Sequence, residues 1–162
     1  MFAFAIWDRR KKRLLLARDR LGIKPLYVYR GRDFFAFASE IKALLEHADV
    51  PREVDQEALD LYLALRYVPG PRTLFKRIFK LQPGHTLMLD SSGVKVRKYW
   101  DIEYPQPETR PFESYLQRFE QLFEESVRLR LIAEVPLGVF LSGGLDSSSI
   151  LAAMSRLSGA ER

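Results

Sequence analysis

Residues Gly138 to Met154 read GVFLSGGLDSSSILAAM: an apolar run, two adjacent glycines, a lone acid, a row of hydroxyls and a second apolar run. Gly143 and Gly144 can adopt positive φ and carry no side chain, so a ligand can approach the main chain closely. If a strand enters this turn and a helix leaves it, several backbone N–H groups lack intrahelical partners and face the strand's carboxyl end. Ser142, Ser147 and Ser148 add hydroxyls, and the helix dipole adds partial positive charge. Donors of this kind suit a phosphate group.

Familiar alternatives fail on their spacing. The common phosphate loop demands a lysine after its last glycine, and none follows Gly144. A nucleophile elbow centred on Ser142 would need glycine in place of Phe140. His47 and His85 lie far upstream and read as surface or capping residues rather than triad members. Asp146 is the odd residue, because a bare carboxylate beside phosphates is repulsive unless a cation lies between them. A magnesium ion bridging Asp146 to the phosphates would reverse that sign. The competing reading is an ordinary helix cap in which Asp146 or Ser147 closes the helix N-terminus.

The elements that would hold this turn follow from periodicity. Leu116, Phe119, Phe123 and Val127 step by three and four, which predicts an amphipathic helix running to about Ile132. LGVFL (137–141) reads as a buried strand, and SSILAAMSRL as a helix. Upstream, DIEYPQPETRP (101–111) holds three prolines and no apolar periodicity, so it reads as a linker.

The front of the chain has a different grammar. FAFAIWD and RLLLARD flank a charged turn, LYVYR and FFAFAS flank Gly31 to Asp33, and HTLMLD and VKVRKYW flank Ser91 to Gly93: three hairpins. Ser39 and Asp55 read as N-caps of two helices, the second ended by Pro69, Gly70 and Pro71. The expectation is an α+β front part followed by the start of an α/β domain. A lone parallel strand cannot bury both faces, so the reading is of an excerpt from a longer protein.

Composition narrows the function classes. Of the 162 residues, 47% are hydrophobic and 29% charged, which predicts a packed core rather than disorder. The formal charge is +5, but the basic residues are scattered apart from Arg9–Arg13, so no nucleic-acid partner is expected. MFAFAIW is too short for a signal core and its basic residues follow it, so a cytoplasmic protein without a membrane span is expected. The absence of cysteine excludes disulfides, Cys-based zinc sites and a thiol nucleophile within these residues.

SGGLDSS resembles the nucleotide loop S-G-G-x-D-S of enzymes that split ATP into AMP and pyrophosphate. Together with the preceding VPLGVFL it resembles the start of the synthetase domain of glutamine-hydrolysing asparagine synthetases. Independently, ARDRLGIKPLY (17–27), FASEIKALL (37–45), LQPGH and YW resemble the later part of that family's N-terminal-nucleophile glutaminase domain. The resemblance implies residues 1–100 as the back portion of an αββα glutaminase fold, 101–111 as linker, and 112–162 as the start of an adenine-nucleotide α-hydrolase-like domain.

By the same resemblance, Leu141, Ser142, Gly143, Gly144, Leu145, Asp146, Ser147 and Ser148 would surround ATP, with Asp146 near magnesium and pyrophosphate. Glutamine, aspartate and ATP would be the substrates, and the full-length protein could form a homodimer. The family's glutaminase uses a cysteine at the mature N-terminus, whereas this sequence opens Met1-Phe2, so no catalytic residue of that half-reaction is assigned here. Two other readings are a β-lactam-synthetase-like relative using the same loop, and a catalytically silent binding module. A phosphoribosyl amidotransferase would share the front motifs but would not continue into S-G-G-L-D-S.

Overall fold

Three turn signals produce three antiparallel hairpins. In the first, β1 (Ala3–Asp8) pairs with β2 (Arg13–Arg18), Ala3 opposite Arg18 and Asp8 opposite Arg13. Asp8 Oδ1 accepts from Arg10 N (2.9 Å) and Lys11 N (3.0 Å), which shapes the basic turn and leaves its cations in water. In the second, β3 (Tyr27–Arg30) pairs with β4 (Phe35–Ala38). In the third, β6 (His85–Asp90) pairs with β7 (Gly93–Lys98) across the two-residue turn Ser91-Ser92, with Gly93 at φ 104°. The short β5 (Ile78–Lys80) adds to β3. This computed structural model describes residues 1–106 and 108–159; one position of the expected linker and the last three residues lie outside the described residues.

The hairpins assemble into two antiparallel sheets, ordered β1-β2-β6-β7 and β4-β3-β5. Leu16, Leu26, Val28, Leu81 and Leu87 form one core cluster, joined by Leu14, Phe35, Phe79, Leu89 and Val94. A second cluster holds Tyr29, Leu44, Val50 and Ile78 and receives α1 (Ile41–Leu45) against β4. The helix α1 is capped at Glu40 without a side-chain hydrogen bond, so Ser39 is not its N-cap as the sequence suggested. Asp55 does cap α2 (Gln56–Leu65), its carboxylate accepting from Ala58 N at 3.2 Å. That helix stops at a left-handed Arg66 (φ 62°), before the Pro-Gly-Pro stretch is reached.

Three of the front-half motifs meet at one corner. Asp19, only 5% exposed, takes four amides on its carboxylate: Phe2 N (3.3 Å), Leu21 N (3.2 Å), Ile23 N (3.0 Å) and Lys24 N (2.9 Å). Its neighbour Arg18 donates to the carbonyls of Lys24 (2.8 Å), Leu81 (2.6 Å) and Gly22 (2.7 Å). The carbonyl of Asp19 accepts from Gly84 N (3.0 Å), and Gly84 O accepts from Tyr99 N (2.8 Å) and Trp100 N (3.2 Å). Tyr99 OH closes the ring of contacts by donating to Arg18 O at 2.8 Å. Thus ARDRLG, LQPG and YW, distant in sequence, are partners in one hydrogen-bonded junction.

Gly84 is the tightest point of that junction. It sits at φ +67°, and a Cβ there would lie 2.4 Å from the carbonyl oxygen of Trp100. Gly84→Ala should therefore destabilise the first unit by about 2–4 kcal/mol, combining backbone strain with a clash against main chain. Thermal unfolding followed by Trp7 and Trp100 fluorescence checks this; an unchanged midpoint would contradict the geometry.

The chain divides into two compact units, Met1–Tyr104 and Pro105–Arg162. In the second, α3 (Phe112–Arg128) carries the stripe seen in the sequence but ends four residues before Ile132. It packs against α4 (Leu145–Leu157), with Val127 and Ala153 buried. The buried strand expected at 137–141 is absent: these residues form no strand and pair with none among the described residues, and Phe140 is fully exposed. The physical reason is the one that defines strands, since no described residue offers 137–141 a ladder of hydrogen bonds. Amide exchange should accordingly be fast from Val135 to Gly144 and slow in β2 and β6. Protection at 137–141 comparable to that of Leu16 and Leu87 would overturn this prediction.

Candidate phosphate-binding turn

The turn before α4 begins at Leu141, and its direction changes at Gly143, whose φ of +79° is left-handed. Gly144 follows in extended conformation (φ −77°, ψ 164°) as the N-cap of α4. No side chain caps this helix. Ser148 N is bonded to Gly144 O at 3.1 Å, so the amides of Leu145, Asp146 and Ser147 form the open first turn. The capping role considered for Asp146 or Ser147 is not realised in this conformation: Ser147 Oγ instead donates to Gly144 O (3.2 Å).

Ser142 and Ser147 do meet. Their hydroxyl oxygens are 3.1 Å apart, and Gly144 N donates to Ser142 Oγ at 3.4 Å. Leu141, Ser142, Gly143, Gly144, Leu145, Asp146 and Ser148 are all exposed, and Ser147 is half-buried. The eight expected residues thus lie on one accessible turn at the head of a helix. Their free amides, hydroxyls and the positive end of α4 offer an anion its donors.

Asp146, in the first helical turn, borders a cleft of about 640 Å³ with Phe119, Phe123, Leu145, Ser149, Ile150 and Arg156. The Phe119 and Phe123 rings stack at 5.9 Å, and Arg156 pairs with Glu124 at 3.0 Å, joining α4 to α3. The sequence puts the two phenylalanines on the stripe of an amphipathic helix. Their flanking of Asp146 was not foreseen, although their spacing of four residues was the available signal. Among the described residues no three His, Cys, Asp or Glu side chains converge on a metal site. A single carboxylate beside hydroxyls and open amides fits magnesium held jointly with phosphate oxygens, the usual pattern for that ion.

His47 is exposed, as expected of a surface residue, and neither histidine caps a helix. His47 Nδ1 accepts from Asp49 N (3.3 Å) while its ring stacks on Phe34 at 4.6 Å, and His85 Nδ1 lies 2.7 Å from Pro83 O. His47 lies in the bend after α1, and His85, half-buried, opens β6. No helix among the described residues is long and apolar enough to cross a membrane.

The family described as glutamine amidotransferase domain matches residues 1–100, the span of both sheets and the Asp19 junction. The chain belongs to this family. Beyond the amidotransferase span, the family described as asparagine synthase matches residues 118–161, which include the glycine turn and α4. Among relatives, asparagine synthetase [glutamine-hydrolyzing] 3 of Bacillus subtilis is 39% identical over 153 residues, covering 94% of this chain and 25% of its own length. Asparagine synthetase [glutamine-hydrolyzing] 1 of the same organism is 36% identical over 152 residues, 93% of this chain and 24% of its own. The protein named amidase chry2 of Gibberella zeae is 36% identical over 160 residues, 96% of this chain and 23% of its own. The chain thus spans about a quarter of the length of these curated relatives.

Proposed function

We propose that this amidotransferase-family chain is part of a glutamine-hydrolysing asparagine synthetase. The observation that carries the reading is an uncapped glycine-serine turn, inside the asparagine-synthase match, directly following an amidotransferase match in one chain. In the complete enzyme, ammonia released from glutamine in one domain amidates aspartate in the other. The aspartate carboxylate attacks the α-phosphorus of ATP and expels pyrophosphate, and ammonia then attacks the acyl carbon and expels AMP. Residues 1–100 serve as the later portion of the glutaminase domain, 101–111 as linker, and 112–162 as the beginning of the synthetase domain.

Within this chain, the amides of Leu145 to Ser147 and the hydroxyls of Ser142, Ser147 and Ser148 hold the β- and γ-phosphates, and Gly143 and Gly144 let them approach the backbone. Leu141 lines the same approach. Asp146, together with those phosphates, is the residue that would hold magnesium, whose charge offsets that of the departing pyrophosphate. The reading is tested by aspartate-dependent exchange of labelled pyrophosphate into ATP by the full-length protein. Exchange with aspartate supports it; exchange with another carboxylate alone would move the protein to a different amide-forming reaction. The relative named as an amidase gives that second reading a specific basis.

One consequence concerns these 162 residues by themselves. Covalent attack on the glutamine amide needs an activated nucleophile, and the sequence contains no cysteine. Incubated with glutamine, the purified chain should release no ammonia above a buffer blank. A glutaminase rate that survives purification to homogeneity would refute this.

A further inference from the structure

No further inference is drawn: the strongest candidate, the free edge of β1 in the four-stranded sheet, a strand that carries exposed Phe4, Ile6 and Trp7 and is paired on one side only among the described residues, carries nothing because nothing in the structure shows what covers it.

Discussion

Under the proposed function, replacing Asp146 by asparagine in the full-length protein should lower ATP-dependent amide formation by about three to four powers of ten, with the fold intact. Asparagine preserves the side chain's shape and removes its negative charge. The helix should not notice, because Asp146 contributes no cap and lies exposed in the first turn of α4. If Asp146 helps hold the magnesium that offsets charge on pyrophosphate, the lost transition-state stabilisation is on the order of 4–5 kcal/mol. Glutamine hydrolysis, which the proposed function assigns to the other domain, should change by less than a factor of about two to three. Both half-reactions are assayed on the purified variant across a magnesium titration, beside a thermal melt. Synthetase activity within threefold of the parent would remove Asp146 from the site. Equal loss of both activities with a lowered melting point would assign the residue to folding instead.

Asp19→Ala should destabilise the amidotransferase unit by about 3–5 kcal/mol, because it strips four buried or half-buried amides of their acceptor at once. Trp7 and Trp100 both lie in Met1–Tyr104, so their fluorescence in a urea titration reports this unit without interference from the other. The same carboxylate sets part of the acid limit. Burial pushes the Asp19 carboxyl upward, but the amides of Lys24, Ile23, Phe2 and Leu21 together outweigh it and hold the group below the ordinary aspartate range. A folded value below the unfolded one, about 3.9, means the stabilisation is complete above the unfolded value. It is lost as pH falls through the folded value. The stability gap between parent and Asp19→Asn should therefore be constant from about pH 5 to 7 and close progressively below about pH 4. A gap that does not vary with acid would show that the amides hold the side chain by shape alone.

Local chemistry makes much of the molecule legible in its sequence. The three hairpins follow from alternating apolar residues around polar turns, a pattern that needs only neighbours in sequence to form. Asp55 as a cap and the stripe on α3 are local in the same sense. The sequence also placed all eight turn residues in one place, because they are consecutive. Where it failed, the deciding interaction was either geometric in detail or remote. Ser39 is an acceptable cap by type, yet the helix begins one residue later, at a position no propensity separates from its neighbour. The 137–141 segment has the composition of a buried strand, but a strand exists only when another supplies its hydrogen bonds.

The tertiary structure alone decided what the front motifs are for. Nothing in ARDRLGIKPLY reveals that Asp19 receives the amide of Phe2, or that its own carbonyl meets Gly84. Nor does LQPGH reveal that its glycine must clear the carbonyl of Trp100. Each of these contacts joins residues separated by 16 or more positions and depends on β1, β2 and β6 having already paired in their register. The chemistry of the turn at Ser142–Ser148 could be read from residue types because amides, hydroxyls and a carboxylate act over a few ångströms of contiguous chain. The junction at Asp19 could not, because its donors are main-chain groups, identical in every residue, and only folding selects which of them arrive.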